Sequence, residues 1–282
     1  MILAASMRSI WVGAAITRRR VSALLLAFCG ALFALAVAAQ DMMRHVDLSS
    51  PDMTSAEMTR AEVEAAVAAA MPSHPADFTG KRLSGLDLSG LDLSGAVFRA
   101  ARLNKTSLAG AALDRAVLDQ AWLLQADLRR ASLAGASLFA TQMHRANLDG
   151  ANLSGARIVA DMTGASLIGA SLAAARLGAD MKNQSMGLMR AVLKSAKLDG
   201  ANLRDADLSR ADIAFASLKQ ADLSGASLTG ADLSGADLTG AVIAGTDFAG
   251  ADLVSAKLVA PIGLDAAKNL DKAQNLDRAV RN

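Results

Sequence analysis

Leucine recurs every five residues along most of the chain, with alanine two positions before it. The stretch 221–240 shows this most plainly, since it reads ADLSG ASLTG ADLSG ADLTG. In an α-helix a five-residue step advances about 140° net, so these leucines would define no buried stripe. In a straight strand an odd step sends successive leucines to opposite faces. The pattern therefore predicts short extended pieces joined by corners.

Each five-residue block then forms one side of a polygon. If four blocks complete a turn, residues twenty apart stack at roughly 4.8 Å and their backbone groups pair between coils. Leucine fills the axis, alanine packs beside it, and Gly or a small polar residue tolerates the corner. We call the Leu of each block, or the residue that takes its place, the block centre. Block centres extend from Phe78 to Leu258, and Ala stands two residues before the centre in 30 of 37 blocks. Chance similarity does not explain such regularity.

These blocks resemble the pentapeptide-repeat family over about two-thirds of the chain. The resemblance implies an all-β fold, a right-handed quadrilateral β-solenoid, and the block count predicts about nine coils with short helical caps at both ends. Some members of that family inhibit or protect DNA gyrase by resembling DNA in shape and negative charge. The resemblance therefore leaves a gyrase- or topoisomerase-interacting protein as one alternative, provided that the chain is retained in the cytoplasm.

Residues 1–39 differ from the rest of the chain. They hold four arginines and no acid, and the uncharged run 21–39 ends in Val37-Ala38-Ala39. This is typical of a secretory signal peptide cleaved near Ala39, which predicts a periplasmic or extracellular protein. The run is also long enough for an uncleaved anchor in the inner membrane, facing the periplasm. Cleavage would remove Cys29, the sole cysteine, and change the formal net charge from +2 to −2.

Residues 40–75 are predicted to be a linker and a capping helix. The helix is expected from Thr54 to Met71, with Thr54 and Glu57 as a capping box and Pro72 ending it. Its predicted role is to cover the open end of the first coil, and the alternative is a spacer from a membrane. In the first coil Lys81, Leu86 and Leu91 replace Ala, which suggests a partly open coil packed on that helix.

Residues 76–260 are predicted to form the solenoid and residues 261–282 a C-terminal helical cap, where Leu264, Leu270 and Leu276 recur at six. The five-residue period is broken three times. The step between centres is four residues long at Ile158–Met162 and Leu177–Met181, and seven residues long at Met186–Leu193. The last step contains Gly187-Leu188-Met189-Arg190. It is interpreted either as an outward functional loop or as a neutral insertion that bends the solenoid.

Histidine is scarce, and the rest of the composition favours a scaffold over an enzyme. The three histidines, His45, His74 and His144, lie far apart, and there is no metal-ligand spacing, phosphate loop or nucleophile motif. We therefore predict no catalytic, cofactor-binding or metal site, no cofactor and no enzymatic activity.

Large apolar residues stand outside the predicted lumen on two adjacent walls. They are Val97, Val117, Phe139 and Val159 on one wall and Trp122 and Leu124 on the next. A contiguous patch of this kind suggests a surface for a protein partner, with Trp and Phe as anchors. The other interpretation is that the N-terminal helix or a second copy of the chain covers it.

Asp212, Asp232 and Asp252 stand just before successive centres and form a predicted acidic ladder. It could attract Ca²⁺ or a basic partner, or form a solvated face.

Residues 76–198 hold nine Asp against fifteen Lys and Arg, whereas residues 199–258 hold nine Asp against four Lys and Arg. A basic first half is unlike a DNA mimic, and direct nucleic-acid binding is not expected.

Taken with the leader, these features predict an exported, non-catalytic scaffold that binds protein partners, or itself, through its outer faces. The alternative is a membrane-anchored spacer or assembly rod.

Overall fold

A computed structural model of the chain describes residues 46–179 and 189–281. Apart from Val46, they belong to one compact unit, Asp47–Asn282. Four columns of parallel bridge pairs follow this unit and define four walls. The first wall extends from Asp77 to Lys268, the second from Arg82 to Gln274, the third from Asp87 to Val280 and the fourth from Asp92 to Ile262.

The first wall takes nine bridge steps and therefore has ten rungs, whereas the fourth wall has nine. The described residues thus form a four-sided β-solenoid of nearly ten coils, against the about nine that the block count predicts. Most steps join residues twenty apart, as between Val97 and Val117. Each side contributes one bridging residue, and the described residues contain no longer strand. The extended pieces are short because a corner follows every block.

The corners are β-turns in which the third residue has a positive φ. In one of them the Ala226 N–H donates to the Leu223 carbonyl at 2.9 Å, and Gly225 between them has φ 72°. A positive φ at this position alone is typical of a type II turn, which favours glycine. Where Arg115 or Gln120 takes the place, the left-handed backbone costs about 1–2 kcal/mol.

The lumen is filled by the predicted leucines and alanines, which are buried along the whole ladder. Near the N-terminal end the rings of Phe78 and Phe98 stack with their centroids 5.0 Å apart. Three threonines replace lumen alanines, and each hydroxyl donates to a carbonyl of the preceding coil, so no buried hydroxyl is left unpaired. The pairs are Thr106 with Leu83, Thr141 with Leu118 and Thr246 with Leu223.

The N-terminal helix is shorter than predicted and starts later. Helix α1 is Pro51–Thr54 and helix α2 is Arg60–Ala68. Between them the Glu57 N–H donates to the Arg82 carbonyl at 2.8 Å, and Ala56 pairs with Leu83. Because this segment pairs with the edge of the first coil, it cannot continue a helix.

The capping box consequently lies at Thr59 and Glu62, so its prediction at Thr54 and Glu57 is wrong. Val63 is fully buried against the core and Val67 packs beside it, while the role of the helix as a cap over the open end of the first coil stays a prediction. In the first coil Leu86 and Leu91 are partly buried, while Lys81 is exposed and pairs with Glu57. The first coil therefore packs on the helix as expected.

The register changes twice within the ladder. The four-residue step after Ile158 is confirmed, because Gln142 pairs with Asp161, nineteen residues on. Asp161 in turn pairs with Val192. The predicted centres Met181 and Met186, with Gly187 and Leu188, lie outside the described residues. Val192 directly follows Asp161 on the second wall, so the described ladder joins residues thirty-one apart at this rung.

The prediction of a helical cap after residue 260 is wrong. Three single 3-10 turns occur there, Leu264–Ala266, Leu270–Lys272 and Leu276–Arg278, and the walls continue between them. The Lys268 N–H, for example, donates to the Thr246 carbonyl at 2.8 Å. The six-residue period gives each corner one extra residue, which a 3-10 turn accommodates, so this segment forms a further coil.

The predicted leader, residues 1–39, lies outside the described residues, as do His45 and Cys29. Within the described ranges, no helix combines the length and the apolar character that crossing a bilayer requires.

Candidate functional site

The aspartates that precede block centres act first as caps of their own corners. In the Asp222 corner, Oδ1 accepts the Ser224 N–H at 3.0 Å and its hydroxyl at 2.5 Å. Asn202, one coil earlier, accepts the Arg204 N–H at 3.1 Å in the same way. Such Asx bonds mimic a backbone turn and explain why Asp or Asn recurs at this place. The sequence pattern predicts only an outward surface at these residues and does not reveal this role.

The three aspartates of the predicted acidic ladder stand in one column of the solenoid. Asp212 pairs with Asp232 and Asp232 with Asp252 along the second wall. Each Oδ1 caps its own corner, at 3.2, 2.9 and 3.0 Å from the N–H two residues on. Asp212 lies 3.8 Å from the Arg190 guanidinium, and Asp252 accepts the Asn275 amide at 2.8 Å. No group of three or more His, Cys, Asp or Glu in the described ranges could hold a metal ion.

The first-wall part of the predicted apolar patch is only partly a surface. Val97 and Val117 are direct neighbours and half-buried. The Phe139 ring is covered by the Arg157 guanidinium, 4.3 Å from its centroid, which is a cation–π contact. Val159 is only 4 % exposed, so its prediction as an outward residue is wrong. The corner after Ile158 is one residue short, which turns Val159 inward.

The second-wall part of the patch borders the N-terminal segment. Trp122 is half-buried between Arg102 and Gln142 on the same wall. Leu124 lines a cavity of about 240 Å³ together with Leu48 and Met53. The N-terminal residues that lie beside Leu124 thus precede helix α2.

Asn104 connects the N-terminal segment to the second wall. Its Nδ2 donates to the Met53 carbonyl at 3.0 Å, and its Oδ1 accepts the Leu124 N–H at 2.9 Å. The side chain is buried, so both bonds are shielded from water. The only sequence signal was an Asn at a position, directly after the block centre, where no other block carries one.

Ion pairs hold the same segment. The Arg82 guanidinium lies 3.2 Å from Asp52 and 3.5 Å from Glu57. Arg60 donates to the carbonyls of Asp87 and Ser89 on the third wall, at 3.0 and 3.2 Å. A backbone N–H of Arg82 bonded to Glu57, together with the charges of Lys81 and Arg82, lowers the pKa of the Glu57 carboxyl. These partners are far apart in sequence and were not predicted.

His144 stands on the second wall and pairs with Asp161 of the next coil. Its Nε2 lies 3.3 Å from the Asp161 carboxylate, and both side chains are about a quarter exposed. Burial raises the pKa of Asp161, but hydrogen bonds from His144 and Thr163 outweigh it, so the pKa is lowered. The pair stabilises the coil at which the register changes.

A protein-family model described as pentapeptide repeats matches residues 82–120, 111–155, 188–225 and 221–258, with eight copies. These ranges amount to about half of the chain. The chain belongs to the pentapeptide-repeat family. The unmatched stretch between residues 155 and 188 is the one in which the register slips, so the pentapeptide-repeat pattern and the ladder are interrupted at the same place.

Solved pentapeptide-repeat proteins resemble the chain. HetL of the cyanobacterium Nostoc sp. strain PCC 7120, involved in heterocyst differentiation regulation, is 31 % identical with a TM-score of 0.55, covering 72 % of this chain and 82 % of HetL. A pentapeptide-repeat protein of the Arabidopsis thaliana thylakoid lumen is 33 % identical over 34 % of this chain and 63 % of its own, with a TM-score of 0.26.

A third solved structure, QnrB1, a plasmid-mediated fluoroquinolone resistance protein, is 16 % identical over 71 % of this chain and 89 % of its own, with a TM-score of 0.31. No curated protein matches the chain in sequence. Family membership implies the right-handed sense that was expected for the solenoid.

Proposed function

We propose that the chain is an exported, non-catalytic scaffold that binds a protein partner through its outer walls. Pentapeptide-repeat proteins are in general structural or protein-interaction scaffolds. HetL is described as involved in regulation, which accords with action through binding. The buried leucines and alanines fill the lumen of this chain, so a partner is expected to bind outside it.

The observation that carries the proposal is the half-buried apolar surface shared by the first two walls. Val97 and Val117 stack on the first wall, and Trp122 lies on the second wall, after the next corner of the same coil. Apolar and aromatic side chains at this density are unusual on a shaft whose other outward positions are mostly polar or small. Tryptophan is among the residues that contribute most to protein interfaces. Although they belong to the first and second walls of the solenoid, we name these residues together the apolar wall: Val97, Val117, Trp122, Leu124 and Phe139.

Export is proposed on the leader pattern alone. A basic start, an uncharged run and a small-residue end at Ala39 are the features of a cleaved secretory signal. The same run supports the second candidate, a membrane-anchored spacer or assembly rod. A gyrase-interacting protein requires a cytoplasmic chain, and the excess of Lys and Arg in residues 76–198 does not favour it.

Fractionation of native cells carrying a C-terminally tagged chain, with sequencing of its N-terminus, tests this proposal. A soluble envelope protein that begins near Gln40 is expected. A membrane-bound chain that keeps residues 1–39 would support the spacer instead. A full-length cytoplasmic chain would contradict export and favour the topoisomerase-interacting alternative.

A further inference from the structure

Phe215 is the most exposed large apolar residue of the described ranges. Its exposed fraction is 62 %, and it is the only aromatic residue among the exposed large apolar ones. Most of the others, including Met71, Ile262 and Val280, lie near the two ends of the solenoid. Phe215 instead stands on the side of the shaft, at the corner between the second and third walls. Its ring is therefore available to a partner rather than to the core.

The backbone at Phe215 is unfavourable for this residue type. Its φ is 60°, in the left-handed region that bulky side chains avoid. The other non-glycine residues of the described ranges with positive φ are Ala, Ser, Asp, Asn, Gln, Lys or Arg. Glycine occupies the same corner at Gly235, one coil on, and the Phe215 ring lies directly over it. Glycine would therefore suit position 215 better, and the fold does not account for phenylalanine.

The second wall beside Phe215 carries acidic charge that is poorly compensated. Asp212 stands three residues before Phe215 in the same coil, and Asp232 is its neighbour in the next. Asp212 has one distant guanidinium contact, to Arg190 at 3.8 Å, and Asp232 has no ion-pair partner within residues 46–179 and 189–281. On the third wall, by contrast, Asp237 lies 3.7 Å from Lys219 and 3.5 Å from Lys257. Only the second-wall side of Phe215 is thus acidic.

We propose that Phe215, Asp212 and Asp232 form a docking surface for a basic protein segment. An apolar side chain of the partner packs on the exposed ring, and Lys or Arg side chains face the two carboxylates. An exposed aromatic beside poorly compensated charge gives such a surface both an anchor and electrostatic complementarity. It lies four coils from Trp122, so it is separate from the apolar wall and does not depend on that proposal.

A random library of short displayed peptides, selected on the purified full-length chain, tests this surface. Enriched peptides are expected to carry several Lys or Arg residues near an apolar residue and to bind less tightly as salt rises. Phe215→Gly is expected to weaken binding at least about tenfold, and Asp232→Asn about threefold. Phe215→Gly should also leave the melting temperature unchanged or raise it, because it relieves the left-handed backbone.

Gln220→Gly is the matched control. Gln220 also has a positive φ, 57°, at a corner, so the substitution relieves the same backbone without removing an aromatic ring. Peptide binding by this variant should equal that of the unmodified chain. Enrichment of neutral or acidic peptides would overturn the proposal, as would binding by Phe215→Gly within about twofold of the unmodified chain. Equal weakening by Phe215→Gly and Gln220→Gly would overturn it too, because the effect would then come from the corners.

Discussion

Asp161 and Val192 are direct neighbours on the second wall, although every earlier rung of that wall joins residues nineteen or twenty apart. The Val192 N–H donates to the Ala160 carbonyl at 2.9 Å, so the backbone pairing is complete at this rung. The described ladder thus passes directly from Asp161 to Val192. The register of the described coils is kept across the residues between these two.

Deletion of residues 180–190 is therefore expected to be tolerated. It would join Ala179 to Ala191 and restore the five-residue spacing between Leu177 and Leu193. Among the described residues, the ion pair that the deletion removes is Arg190–Asp212, at 3.8 Å and partly exposed, which contributes at most about 1 kcal/mol. Circular dichroism and thermal unfolding should match those of the full chain within a few degrees. Aggregation or loss of cooperative unfolding would show that the stretch is part of the solenoid.

Asn104→Ala is expected to destabilise the chain and release its N-terminal segment. The substitution leaves the Leu124 N–H without its acceptor and the Met53 carbonyl without its donor, at a cost of about 1–3 kcal/mol. Amide hydrogen exchange should accelerate over residues 51–68 while the central coils keep their protection. Gln125→Ala is the control, since Gln125 lines the same cavity from an exposed corner. Equal exchange in the two variants would contradict the anchoring role of Asn104.

Acid should destabilise the solenoid through its corner aspartates. Burial raises the pKa of Asp222, but hydrogen bonds from Ser224 and Arg204 outweigh it, so the folded-state pKa is lowered. A lowered folded pKa gives stability that is present above the unfolded value of about 3.9 and is lost as pH falls through the folded pKa. The pKa values of Asp77, Asp87 and Asp237 are lowered as well. The melting temperature is expected to fall below about pH 4.

Asp222→Asn separates this charge effect from the cap. Asn202 shows that an amide oxygen caps the same corner one coil earlier, so the turn should persist. Near neutral pH the variant loses the partly exposed Arg204 pair, worth at most about 1 kcal/mol. Its deficit in melting temperature should shrink as the pH falls through the lowered folded-state pKa of Asp222, below which the carboxyl is protonated in both states. A deficit that stays constant with pH would contradict the assignment.

The lumen could be predicted from the sequence because it depends on a strict local period. Leu and Ala at fixed spacing have only one way to share a core in this fold, so walls, coils and the stacking of Asp212 on Asp232 followed directly. The ends were harder. Whether Thr54–Thr59 is helical depends on pairing with Arg82 of the first coil, and whether the last residues form a coil depends on how a corner takes an extra residue.

Surface roles were the least predictable part. An Asp before a centre has the same sequence signature whether it caps a corner or faces a partner, and only its hydrogen bonds decide. Val159 fits the outward pattern, yet a corner shortened by one residue buries it. Phe215 was detectable in principle, as a bulky residue at a position of positive φ, but that conformation is visible only in the structure.

Affinity purification of the tagged chain from native cells, compared with its Trp122→Ala variant, tests the central claim most directly. Trp122 lies on the apolar wall and outside the lumen, so the variant should keep its circular dichroism spectrum and melting temperature. We expect one or more proteins to co-purify with the unmodified chain and to be depleted at least about tenfold with Trp122→Ala. An identical set of proteins in both purifications, with both chains folded, would contradict a scaffold that binds its partner through this wall.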